Sequence, residues 1–136
     1  MAHKSVVRAR FSDLDPYNHV NHARYLSYFE MARVDLLEEM GFSMARLAEM
    51  GLQIVLVEAR VRYYAPARLG DQVSVTTRVR EVRRASTRWS QRAQVGTVPV
   101  ATLEIKAAFV DRQGKPQRTP EGFVEASIPY RLAGSR

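Results

Sequence analysis

Residues 21–40 carry Leu26, Phe29, Leu36, Leu37 and Met40 at helical spacing, and Gly41 follows as a stop signal. This stretch predicts a helix of about five turns. Tyr25, Tyr28, Ala32 and Val34 extend its apolar surface around much of the circumference. A helix of that kind is enclosed by other structure, whereas a surface helix keeps a polar face. The rest of the chain therefore has to wrap it.

That remainder is β in character. Residues 5–11 alternate Val7, Ala9 and Phe11 with Arg8 and Arg10, the pattern of a half-buried strand. Residues 52–64 are rich in Val, Ile and Tyr and stop at Ala65-Pro66; Leu69-Gly70-Asp71 then turns the chain into the alternating Val73, Val75, Thr77 and Val79. Residues 87–95 and 98–111 read as further strands, broken at Gly96 and Pro99. A last strand is expected over residues 123–128, after the polar turn Arg112-Gln-Gly-Lys-Pro, which makes about five strands after the helix. Residues 43–50, with Ser43 as N-cap and Gly51 as stop, predict a second short helix. Sequential strands after a long helix meander antiparallel and bury it against one concave face. The fold class is α+β, a curled sheet around a central helix.

The 136 residues suit one domain spanning 1–136, a size that buries roughly two thirds of the unfolded surface. With 46% hydrophobic and 26% charged residues, disorder and fibrous repeats are excluded. The 21 Lys and Arg exceed the 14 Asp and Glu by seven, and residues 60–92, with nine arginines against Asp71 and Glu81, hold that whole excess. A solvated arginine-rich sheet face accounts for it as well as an anionic partner does. Arg78, Arg80, Arg88 and Arg92 alternate with core positions and face outward. Arg83 and Arg84 instead fall at a turn between two strands, where with Ser86 they can converge on phosphate oxygens.

There is no cysteine, which excludes disulfides, a thiolate nucleophile and Cys-ligated zinc and makes the cytoplasm the default compartment. Residues 1–10 lack an apolar leader, and no run approaches the roughly 18 to 20 apolar residues of a membrane span. No G-x-S-x-G elbow, P-loop or G-x-G-x-x-G is present, which disfavours a serine triad, phosphoryl transfer and dinucleotide chemistry.

The densest polar stretch is residues 13–22, with Asp13, Asp15, Asn18, His19, Asn21 and His22 leading into the helix. A helix N-terminus leaves backbone N–H groups free for an anion, and an oxyanion is one. A carboxylate beside it can act as general base or nucleophile, and a histidine can orient it or carry a proton. On residue types alone the loop is equally a helix cap, with Asn21 capping and Asp13 and Asp15 making side-chain turns. His19 and His22 lack a third ligand, so no metal is expected. Glu30 and Arg33 are three apart on the helix and are expected to form a structural ion pair.

Residues 13–33 read D-x-D-x-x-x-H-V-N-[NH]-x-x-Y-x-x-[YF]-x-E-x-A-R, and residues 57–71 end in Y-x-x-P-A-x-x-G-D. Both blocks resemble hotdog-fold acyl-CoA thioesterases of the 4-hydroxybenzoyl-CoA thioesterase type. The resemblance implies a central helix wrapped by a five- to six-stranded antiparallel sheet, dimerised with sites at the subunit interface, and in some members paired again into a tetramer. It implies Asp15 as general base or nucleophile on the thioester carbonyl, and the His22 backbone N–H as the group that polarises the carbonyl oxygen. His19 and Asn21 match the H-V-N element of a subgroup that includes long-chain acyl-CoA and plant acyl-carrier-protein thioesterases, where the histidine assists the carboxylate. His22 stands where the usual pattern has a second Asn; a backbone role there needs no side chain. Arg83, Arg84 and Ser86 match a segment that meets the nucleotide phosphates of CoA.

The expected activity is hydrolysis of an acyl-CoA to a carboxylic acid and free CoA, with no metal or organic cofactor, CoA being part of the substrate. Tyr25, Phe29, Met50 and Leu56 are candidates to line the acyl pocket, Tyr25 as a substrate-binding residue. Alternatives are the same chemistry on acyl carrier protein, or a hotdog dimer that binds acyl-CoA without turnover. Neither a nucleic acid nor a membrane is expected as partner.

Overall fold

A computed structural model describes residues 2–131; the outer ends of the expected 1–136 domain, residue 1 and residues 132–136, lie outside the described residues. The chain runs β1 (His3–Arg8), a 3-10 turn (Phe11–Asp13), α1 (Arg24–Glu39), α2 (Met44–Glu49), β2 (Gln53–Tyr63), β3 (Gln72–Val82), β4 (Ser86–Val95), β5 (Val98–Val110) and α3 (Phe123–Ser127), then a second 3-10 turn (Ile128–Tyr130). All five strands form one antiparallel sheet in the order β1-β3-β4-β5-β2. This is the α+β hotdog arrangement that the sequence leads one to expect.

The central helix begins at Arg24, later than the periodicity suggests. Residues 21–23 make a turn instead, in which the Asn21 side-chain oxygen accepts the Ala23 N–H at 2.9 Å and its carbonyl accepts the Arg24 N–H at 2.9 Å. Tyr25, Tyr28, Phe29, Ala32, Leu36 and Leu37 form its buried stripe. They pack on the concave sheet face, to which β3 contributes Val73, Val75 and Val79, β4 Trp89 and Ala93, and β5 Leu103, Ile105 and Phe109. The period-two alternation of each strand produces that face. Leu26 and Met31 are 41% and 53% exposed, so one flank of the helix is left uncovered by its own sheet.

The outer face carries the arginines, as their alternation implies. Arg80 pairs with Glu104 at 2.9 Å, and Arg88 lies 3.6 Å from Glu81. Ser43 caps α2 as expected, its hydroxyl accepting the Arg46 N–H at 3.2 Å.

Three expectations are corrected. The first strand ends at Arg8, and Phe11, expected on its buried side, opens the 3-10 turn and is exposed. Residues 123–128 do not form a strand: Phe123–Ser127 is a helical turn, so four strands follow α1. Phe123, Val124, Ala126 and Ile128 fit either period, and tertiary anchoring decides between them. Gly122, at φ 86°, turns the chain inward, and the Phe123 ring then stacks 5.1 Å from Phe42 and 5.3 Å from Phe109. The Glu30–Arg33 ion pair is also absent from the ion pairs of the described residues. Arg33 instead donates from Nη1 to Gln91 Oε1 at 2.8 Å. Gln91 is a better partner because it is buried and already held, donating to the Phe29 carbonyl at 2.8 Å and to Thr77 Oγ1 at 3.0 Å.

Candidate active site

The loop between β1 and α1 is fixed by backbone hydrogen bonds to the β2–β3 connection. The Ala9 N–H donates to the Asp71 carbonyl at 2.8 Å, and the Val20 N–H to the Ala67 carbonyl at 2.8 Å. Inside the loop the Asp15 N–H donates to the His19 carbonyl at 2.7 Å, while Asp15 Oδ1 accepts the N–H of Tyr17 at 2.8 Å and of His19 at 3.1 Å. Asn18, at φ 63°, takes the left-handed position that this tight reversal requires. One carboxylate oxygen of Asp15 thus locks the turn. Oδ2 has no hydrogen-bond partner among the described residues.

His22 is exposed and begins the turn into α1. Its carbonyl accepts the Tyr63 hydroxyl at 2.8 Å, and no group among the described residues accepts its N–H. His19 meets Asp15 through its backbone amide, and no hydrogen bond joins its imidazole to the Asp15 carboxylate. Asn21 uses its side chain within the turn. Asp15, His19, Asn21 and His22 therefore share one short, hydrogen-bonded segment. Tyr25 is buried, 3% exposed, and its hydroxyl accepts the Ala67 N–H at 3.0 Å, which ties α1 to the β2–β3 connection.

Two residues outside the expected site hold it in place. Asp13 accepts the Arg10 N–H at 3.0 Å and the Tyr28 hydroxyl at 2.7 Å, while its backbone carbonyl accepts the Asn21 N–H at 2.7 Å. Tyr63, at the end of β2, clamps the His22 carbonyl. The first Asp of the D-x-D pair is a visible sequence signal, and Tyr63 opens the Y-x-x-P-A-x-x-G-D block, but nothing local points to its partner, 41 residues away.

Burial, then the bond to Asp13, raises the Tyr28 hydroxyl well above its ordinary value. Burial likewise raises Tyr25. A raised pKa means that the folded state favours the neutral phenol. Its stabilising contribution is complete below pH about 10, the unfolded value, and is lost as pH climbs toward the folded one. Tyr28→Phe is expected to cost about 1.5–3 kcal/mol at pH 7, the range for a hydrogen bond to a charged group, and to flatten the alkaline fall in stability. Urea unfolding followed from pH 7 to 11 checks both.

Arg83, Arg84 and Ser86 lie elsewhere. Tyr63 pairs with Ala101, Ala101 with Ala93, and Ala93 with Val75, a row that marks the sheet end carrying the Asp15 loop. Val82 pairs with Thr87 and Ser86 with Ala108, a row at the opposite end. Along β5 the two rows are seven residues apart, from Ala101 to Ala108, which at the usual strand rise separates them by roughly 23 Å within one chain. At that far end the Arg83 N–H donates to the Ser86 carbonyl at 2.8 Å, the Thr119 N–H donates to the Arg84 carbonyl at 2.7 Å, and Arg83 Nε lies 2.9 Å from Glu81. These contacts hold the turn, and Arg83 and Arg84 are both exposed.

The sequence matches the Thioesterase-like superfamily over residues 9–127, a span that includes the loop, the helix and the entire sheet apart from β1. The chain belongs to that superfamily. Among relatives of this thioesterase-like chain, the acyl-CoA thioesterase YbgC of Haemophilus influenzae is 35% identical over 106 residues, covering 77% of this chain and 78% of its own. The acyl-CoA thioester hydrolase YbgC of Escherichia coli is 31% identical over 120 residues, covering 87% and 90%. A probable thioesterase from Bartonella henselae has the same fold at a TM-score of 0.85 and 28% identity, covering 88% of this chain and all of that one.

Proposed function

We propose that this protein is a cytoplasmic hydrolase that cleaves an acyl-CoA thioester to a carboxylic acid and free CoA. The observation that carries the reading is that one short hydrogen-bonded segment holds both an Asp15 Oδ2 with no partner and a His22 N–H with no acceptor among the described residues. A free carboxylate oxygen activates water or attacks the carbonyl carbon itself, and a free amide N–H stabilises the charge that develops on the carbonyl oxygen. Water supplies oxygen to the acyl carbon, the carbon–sulfur bond breaks, and the leaving thiolate takes up the proton. The acyl-CoA activity named for the two YbgC relatives supports this reading. Asn21 holds the turn, and His19 fixes Asp15 through its backbone amide.

The working unit is a dimer joined along β2. This strand is the sheet edge next to β5, its outer side unpaired among the described residues, and Val55, Leu56 and Val57 are 39%, 48% and 54% exposed. A long apolar edge of this kind pairs or aggregates. Antiparallel pairing about a two-fold axis sets the Tyr63 end of one strand beside the Gln53 end of the other. That brings the Asp15 loop of one chain toward the Arg83-Arg84 turn of its partner, where exposed guanidinium groups suit the phosphates of the CoA nucleotide.

The test is one acyl group presented on CoA and on acyl carrier protein, with free thiol measured. The expected result is turnover of the CoA ester with kcat/KM at least about tenfold above the carrier ester, roughly 1.4 kcal/mol of preference. The reverse order assigns the carrier protein as substrate, and saturable binding with no thiol release overturns the hydrolase reading.

A further inference from the structure

Between α1 and the β2 side of the sheet lies a partly open cavity of about 160 Å³. Val34, Ile54, Leu56 and Trp89 give it apolar walls, and Glu30 and Arg33 line it as well. Leu56 stands half exposed on the edge strand, so the cavity lies at that edge. Toward the helix N-terminus the seam between α1 and β2 is filled by the Tyr25 and Tyr63 rings, 5.7 Å apart.

Arg33 is the unusual wall residue. Its orientation is set by a chain of hydrogen bonds: Nη1 donates to Gln91 Oε1, and Gln91 Nε2 is committed to the Phe29 carbonyl and Thr77 Oγ1. A guanidinium has five N–H donors, and among the described residues one bond is made, to a neutral amide oxygen. No carboxylate among the described residues forms an ion pair with it; Glu30, exposed on the same helix, acts only as a more distant counter-charge. Burial lowers the Arg33 pKa, the mark of a cation partly stripped of water. An aimed cation with spare donors in an apolar wall is costly unless an occupant supplies an acceptor.

We propose that Arg33 is a specificity-determining residue, selecting short acyl groups whose far end carries an oxygen able to accept a hydrogen bond. The apolar walls take the hydrocarbon, and the guanidinium takes the oxygen. This rests on the thioesterase reading and on β2 pairing, which sets the cavity beside the Asp15 loop of the partner subunit. A hydroxyl and a carboxylate share the required chemistry.

The experiment compares three acyl-CoA esters of equal carbon count, ending in methyl, hydroxyl or carboxylate, on the wild-type chain, Arg33→Met and Arg33→Lys. Losing a hydrogen bond to a charged group is worth roughly 10- to 150-fold. Arg33→Met is therefore expected to lower kcat/KM for at least one oxygen-ended ester by about that factor while changing the methyl-ended ester less than threefold. Arg33→Lys, which keeps the charge, is expected to fall between. Loss confined to the hydroxyl or to the carboxylate identifies which oxygen is read. An equal fall on all three esters marks Arg33 as merely structural and overturns the proposal, as does no change on any. Dissociation constants for the matching non-hydrolysable thioether analogues are measured in parallel. If the wild-type chain turns over none of the esters, the hydrolase reading fails while the analogue affinities still decide the role of Arg33.

Discussion

Asp15→Asn is expected to lower kcat by about a thousandfold, in the middle of the range for removing a general base, while leaving the fold intact. The asymmetry of the carboxylate leads to both halves of that statement. Oδ1 accepts the Tyr17 and His19 N–H groups, and the side-chain oxygen of asparagine can keep both bonds. The amide nitrogen then replaces Oδ2, the oxygen with no partner among the described residues, and an uncharged donor stands where a base or nucleophile is required. The turn survives and the chemistry does not. Steady-state thiol release and thermal unfolding on the same preparation check the pair of outcomes. A rate within tenfold of wild type removes Asp15 from the mechanism, and a collapse of the melting transition shows the residue to be structural. Asp13→Asn supplies the contrast. It weakens an acceptor for the Arg10 N–H and the Tyr28 hydroxyl, so its first effect is on stability.

What the sequence made legible follows from how local each signal is. The central helix and β3 to β5 were readable because their periods of 3.6 and two are carried by consecutive residues that all face one core. Residues 123–128 were not readable, because their apolar positions fit either period and the Phe42 and Phe109 rings settle the choice. The D-x-D loop was visible as a polar cluster, yet what separates its two aspartates in role is which hydrogen bonds each makes, and the partner of Asp13 is 15 residues on. Helical spacing pairs Arg33 with Glu30, three residues away, whereas the chain gives it Gln91, 58 residues away. Local spacing proposes neighbours, and a curled sheet supplies better ones. The same limit applies to Arg83 and Arg84. Their position at a turn was legible, but their location at the opposite sheet end from Asp15 depends on strand register.

That separation underlies the second large effect. Val55→Lys combined with Val57→Lys is expected to convert the proposed dimer to monomer at micromolar concentration and to lower kcat/KM by at least about a hundredfold. The two-fold axis repeats each substitution, so four ammonium groups meet along one seam, and charges on an edge strand block pairing. Both side chains are exposed in the isolated chain, which predicts little change in monomer stability, since surface substitutions of this kind stay within about 0.5 kcal/mol. Sedimentation and activity measured together test the link, and a fully active monomer would refute the shared site. Subunit mixing tests it without disrupting the interface. Asp15→Asn chains lack the base, and chains carrying Arg83→Ala with Arg84→Ala lack the phosphate contacts. If each site takes Asp15 from one chain and the arginines from the other, a heterodimer holds one intact site and one doubly defective site. With free exchange half of the dimers are heterodimers, so activity at low substrate is expected to rise to about a quarter of wild type, by the symmetry of a two-fold dimer. Sites built within single chains instead leave every site of the mixture with one defect, and activity then stays at the average of the two defective parents.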